Sequence, residues 1–199
     1  MKKSWILSAC IGVCLAGLLT AQVSSGVPAP RATVEQLLDS VKALSRSPEA
    51  KPDPAMIKRI SEVMDVQGVS KTCLGPQWNR LSPQEQKSFV RLFQDVLEKV
   101  AYPKSAKFFK DTGVRIEDAS VQSAAAQVPT VVTHPKEGEV EVDYKLQMVD
   151  GKWLVEDVIL DGVSLVQDLR AQMQKIIKEK SYQALKRKLT EKLNEETSS

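Results

Sequence analysis

The chain has 199 residues, with 28 Lys and Arg against 25 Asp and Glu, a formal charge of +3 and a sequence pI near 8.7. That length favours one domain, and the near-balance of charge argues against a nucleic-acid binder. His134 is the one histidine, and Cys73 is the one cysteine beyond the first 21 residues, which excludes a typical zinc site and an internal disulfide. No glycine-rich phosphate loop occurs.

Lys2 and Lys3 precede an apolar run from Trp5 to Ala21, followed by Gln22-Val23-Ser24-Ser25-Gly26. A basic start, a short apolar stretch and small residues make residues 1–21 a secretory signal peptide, cut after Ala21 or as late as Ser25. The run is shorter than the ~20 residues a membrane span needs. Losing two lysines lowers the formal charge from +3 to +1. The remaining chain, about 178 residues, is large enough to hold its own core without a disulfide.

Residues 22–32 read as an extended lead-in with Pro28 and Pro30, and residues 33–199 as a single domain. Thr33 and Gln36 have capping-box spacing before Val34, Leu37, Leu38, Val41 and Leu44, which predicts a first helix. A proline-rich linker runs from Ser47 to Pro54. Asp53-Pro54 then opens a second helix with Met56, Ile57, Ile60, Val63 and Met64 on its apolar side. Gly75-Pro76 breaks the next helical segment. Ser82, Pro83 and Glu85 supply an N-cap, a first-turn proline and a capping-box acid. That helix carries Phe89, Leu92, Phe93, Val96, Leu97 and Val100 and is expected to end near Tyr102-Pro103.

From Gly113 the period changes to two. Val114 and Ile116 start one strand, and Ala124 to Thr133 make another, with Pro129 marking an edge or a bulge. Val140, Val142, Tyr144, Leu146 and Met148 alternate with polar residues, Asp150-Gly151 fits a two-residue hairpin, and a fourth strand starts at Trp153. Continued alternation puts Trp153, Val155, Asp157 and Ile159 on one face, with an acid on an otherwise apolar row. A structural hydrogen bond or a salt bridge to Arg170 is the favoured role for that acid. Ser164 and Gln167 then cap a helix with Leu165, Leu169, Met173 and Ile176 on one face, and a basic helix runs from Ser181 to Leu193. The sum is an α+β fold: helices before and after an antiparallel sheet of about four strands.

Candidates for chemistry are few. Cys73 and His134 lack a nameable orienting group or oxyanion donor, so a nucleophilic pair is not indicated. Glu156 and Asp157 point to opposite faces of a strand and make no carboxylate pair. No enzyme activity is expected. The positive signal is apolar: the sheet row and the Phe89 stripe either pack on each other or enclose something, and periodicity does not separate these.

Two blocks resemble the MlaC-type, or toluene-tolerance, family. One is Leu74-Gly75, Trp78, Leu81-Ser82-Pro83-Gln84-Glu85-Gln86, Phe89 and Leu92-Phe93. The other is Gly151-Lys152-Trp153, Glu156-Asp157-Val158, Gly162-Val163-Ser164-Leu165 and Arg170. Leu169 and Met173 stand where that family often has aromatics. The resemblance implies a cone-like sheet with helices across it and a deep apolar pocket for phospholipid tails. It also implies a periplasmic location after cleavage of the signal peptide and no cofactor beyond phospholipid cargo. The implied partners are an inner-membrane ABC lipid transporter complex with its substrate-binding component, an outer-membrane lipoprotein complex, and the membrane itself in transient contact. The implied task is shuttling phospholipid between the membranes, in the upkeep of outer-membrane lipid asymmetry. The pocket lining then expected is Val63, Phe89, Phe93, Val96, Leu97, Val100, Tyr102, Tyr144, Leu146, Met148, Trp153 and Val155. A periplasmic accessory protein of envelope assembly or hopanoid synthesis, with a solid core and no shuttle role, is the alternative.

Overall fold

The computed structural model describes residues 29–47 and 52–197. The expected signal peptide, most of the lead-in and the middle of the proline-rich linker lie outside the described residues. Helix α1 (Pro30–Leu44) starts a turn before the expected capping box. Pro30 takes the first-turn position and Thr33 is buried without capping anything, because proline's fixed φ suffices to open a helix. Helix α2 (Pro54–Ser61) opens as expected, with the Asp53 carboxylate accepting from the Ala55 N–H at 2.8 Å. Helix α3 (Val66–Leu74) gives way at Gly75, φ +49, to a 3₁₀-helix over Gly75–Arg80. Helix α4 (Pro83–Val96) has the full capping box: Ser82 Oγ accepts from the Glu85 N–H, and Glu85 accepts from the Ser82 N–H at 2.8 Å.

The chain does not stop at Tyr102-Pro103. A π turn over Leu97–Ala101 carries it into α5 (Tyr102–Phe108). Pro103 has no N–H for the carbonyl one turn back and its ring would crowd it. The wider turn relieves that conflict, and the Tyr102 N–H reaches Leu97 O instead.

The sheet has six strands rather than four. They are β1 (Gly113–Ile116), β2 (Ser120–Gln122), β3 (Ala125–His134), β4 (Gly138–Val149), β5 (Lys152–Leu160) and β6 (Val163–Ser164). All pair antiparallel in the order β1-β3-β4-β5-β6, with β2 also on β3. The two unforeseen strands, β2 and β6, are too short to show a period. Asp150-Gly151 and Asp161-Gly162 both sit at positive φ, which makes each a tight hairpin turn. The chain ends in α6 (Leu165–Glu179) and α7 (Tyr182–Thr197). Leu165 is 42% exposed; the buried stripe of α6 is Val166 and Met173, with Leu169, Ile176 and Ile177 beside them.

A bulge overturns the expected face of Asp157. Lys145 pairs with Asp157 while Leu146 pairs with Val155, so Glu156 is an extra residue. The inner row therefore runs Trp153, Val155, Val158, Leu160, and Asp157 and Ile159 turn to the other side.

Candidate functional site

The described residues form two hydrophobic cores. The first lies on the inner face of the sheet. Cross-strand pairs Ala126–Leu146, Val128–Tyr144, Thr130–Val142 and Val132–Val140 build its floor, and Trp153 and Val155 extend it. The buried aliphatic hydroxyl in that floor, Thr130, gives its proton to Val142 O at 2.6 Å. Helix α1 covers the floor with Val34, Leu37, Leu38, Val41 and Leu44. Ile60, Val63, Tyr102, Ala106 and Phe109 complete the cover. Val128, Val132, Leu146 and Val155 are each 0% exposed, so the face is closed by protein side chains here.

The second core joins α3, α4, α6 and α7 around Phe89, Phe93, Cys73, Leu74, Trp78 and Leu185. The Phe89 and Phe93 rings stack with centroids 6.1 Å apart. Polar caps tie these helices together. Gln174 Nε2 donates to Cys73 O and Leu74 O at 2.9 and 2.6 Å, and Gln86 Nε2 to Trp78 O at 3.1 Å. Asp157, turned this way by the bulge, accepts from Ser164 Oγ at 2.6 Å and from the Val166 N–H at 3.1 Å, so it holds the start of α6. That is the structural hydrogen bond weighed from the sequence.

The expected lining is thus divided. Val63, Tyr102, Tyr144, Leu146, Trp153 and Val155 belong to the sheet core, with Met148 half-buried against it. Phe89 and Phe93 belong to the helical core. Leu97 packs on both, as does Met64, which sequence reasoning placed only on the α2 stripe. Val100 is buried in the π turn and Val96 is half-buried in α4. The cover residues of α1, together with Ile60, Ala106 and Phe109, were missed as site candidates; the α1 period was legible, but its partner was not.

At the seam between the cores, the Glu98 carboxylate accepts from Ser61 Oγ and from Gln94 Nε2, both at 2.8 Å. Beside it the Tyr102 hydroxyl is buried without a partner. Burial pushes its pKa up to about 12; the nearby Ser61 hydroxyl moderates this and Glu98 adds to it. Ser61 is close, yet no well-formed hydrogen bond joins the two hydroxyls. Burial likewise pushes Tyr144 well above the ordinary phenol range. Cys73 is buried, and desolvation, against the opposing pull of Arg170, raises its thiol to about 11 and so disfavours the thiolate. His134, the last residue of β3, stacks on Phe108 with 5.3 Å between centroids, and its Nδ1 accepts from the Lys136 and Glu137 N–H groups of the β3–β4 turn. Among the described residues no group of His, Cys, Asp and Glu is arranged to hold a metal ion, and no helix is long and apolar enough to cross a membrane.

An antiparallel sheet with one apolar face under a roof of helices, backed by a separate helical core, defines an α+β fold shared with a known structure. That structure is a phospholipid-binding protein from Ralstonia solanacearum in complex with a phospholipid; the TM-score is 0.70 at 18% identity, over 85% of this chain and 99% of that one. The family described as MlaC protein matches residues 31–191, and the chain belongs to it. A relative, toluene tolerance protein ttg2D of Pseudomonas putida, is 24% identical over 153 residues, 74% of this chain and 71% of the relative.

Proposed function

We propose that this protein is a soluble periplasmic carrier that takes phospholipid tails onto the inner face of its sheet and moves lipid between the inner and outer membranes. The observation that carries this is the continuous apolar face of β3, β4 and β5. In a member of this family, that face is the natural place for acyl chains. Its cover includes two short helices, α2 of 8 residues and α5 of 7, joined to the rest through a linker and a π turn. Short elements with few buried apolar residues are the parts of a domain that open most readily, and α2 buries Ile60 alone.

The energetics suit a carrier. An acyl chain of about 15 methylenes costs ~12 kcal/mol to hold in water, and an apolar lining removes most of that. Release then requires a partner offering comparable burial. An inner-membrane ABC lipid transporter complex with its substrate-binding component, and an outer-membrane lipoprotein complex, are the proposed partners, and maintenance of outer-membrane lipid asymmetry the proposed role. Export by a cleaved signal peptide over residues 1–21 belongs to the same proposal. No catalytic step is assigned.

Native mass spectrometry of protein purified from the envelope tests the reading. A co-purified phospholipid of one or two acyl chains is the expected result. A lipid-free protein that also fails to extract phospholipid from vesicles contradicts it and favours an accessory protein with a permanently closed core.

A further inference from the structure

We propose that the Tyr102 hydroxyl donates a hydrogen bond to an ester carbonyl of the bound glycerolipid, so that the protein prefers ester-linked to ether-linked tails. This rests on the carrier reading above.

Tyr102 is a sheet-core residue, 5% exposed, and its hydroxyl has no hydrogen-bond partner. A buried polar group left unpaired is destabilising, and native proteins rarely keep one without a use for it. The residue stands at the first turn of α5, directly after the π turn, a feature common at functional sites. Its ring belongs to the core that would receive tails, while its oxygen lies beside the polar group of Ser61, Gln94 and Glu98 at the seam.

The surroundings limit what it can bind. The Ser61 proton is already given to Glu98, and Glu98 Oε1 already accepts two hydrogen bonds. Neither therefore supplies a donor, and the group left without a partner is the phenolic O–H, which can donate to an acceptor brought by the ligand. Methylene tails offer none. A phosphate is a strong acceptor, but the Glu98 carboxylate alongside repels it in a poorly screened position. A neutral carbonyl meets both conditions. In a glycerolipid the ester carbonyls lie between tails and headgroup, the depth at which a side chain on the rim of an apolar core would meet them. An ether oxygen lacks the carbonyl acceptor and should gain less.

The test uses the lipid-stripped protein with dioleoyl phosphatidylcholine and its diether analogue, in competition binding. The wild type should bind the diester about fivefold more tightly, the worth of one net neutral hydrogen bond. Tyr102→Phe should remove that preference by weakening only the diester, and should melt no lower than wild type because the lost hydroxyl had no partner. Equal binding of both lipids by the wild type overturns the inference without touching the carrier reading, and so does a preference that survives Tyr102→Phe. Equal weakening of both lipids in Tyr102→Phe also overturns it, since that marks a packing role. Failure of the wild type to bind either lipid overturns the carrier reading and this inference together.

Discussion

The two cores are built differently. The helical core is fastened by polar caps: Gln174 on the end of α3, Gln86 on the 3₁₀-helix, and Asp157 on the start of α6. The sheet core is roofed by α1, α2 and α5 mostly through apolar contact. Its side-chain ties to the backbone lie at the margin, where Arg31 donates to Ile116 O and Glu117 O and Lys42 to Thr112 O. A backbone pair, Val155 N–H to Val63 O at 2.8 Å and Asp65 N–H to Val155 O at 2.9 Å, also fastens the segment after α2 to β5. A directional tie resists opening, whereas apolar contact can be exchanged for another apolar surface at little net cost. On the proposed function, the helical core is scaffold and the sheet core is where cargo replaces protein.

The largest effects should separate these roles. Phe89→Ala removes a fully buried ring from the helical core and should destabilise by ~3–5 kcal/mol, read by denaturant unfolding. Below its melting point, that variant should still carry lipid. Leu146→Trp or Val155→Trp should do the reverse. Each adds volume on the sheet face, should cost no more than ~1–3 kcal/mol in strain, and should be purified without lipid. Loss of lipid in Phe89→Ala with full occupancy in both tryptophan variants would exchange the two roles.

A smaller effect attaches to Asp157. Asp157→Ala strands the Val166 N–H and the Ser164 hydroxyl and should cost ~1–2 kcal/mol, the usual worth of a helix cap. Because the bulge turns it away from the sheet core, lipid occupancy should not change. A variant that keeps its stability and loses lipid would return Asp157 to the binding face.

The bulge itself carries the smallest prediction. Glu156 is raised above its usual 4.5, first by burial and then by the neighbouring Asp65 and Asp157 carboxylates. The folded form therefore holds its proton at pH values where the unfolded chain has lost it. The protein is relatively favoured below the unfolded value and loses stability as pH rises through the folded one. Glu156→Gln should raise the melting temperature at pH 7 and change it little at pH 4. A rise confined to pH 4 would contradict the assigned cause.

Much of this was legible in the sequence where local chemistry decides. The Ser82 to Glu85 capping box, the Asp53-Pro54 start and the Asp150-Gly151 hairpin are each set by a few adjacent residues, and the structure has all three. The failures come where one residue shifts a pattern. Glu156 leaves no trace in composition, yet it reverses the face of everything after it. Pro103 reads as a stop, and the π turn absorbs it. The division of the expected lining between two cores is a tertiary fact: the Phe89 stripe and the Tyr144 row are both apolar, and nothing in their periods says that they face different partners.

The protein carries its own probes for that division. Trp153 lies in the sheet core and Trp78 in the helical core, each 8% exposed. With residues 1–21 removed, which takes away Trp5, fluorescence can be followed from each core separately in Trp78→Phe and Trp153→Phe variants. Phospholipid with brominated acyl chains should quench Trp153 in the first variant strongly and leave Trp78 in the second nearly unchanged. Quenching of Trp78 with Trp153 unaffected, or of neither while lipid is bound, would contradict the placement of acyl chains on the sheet face.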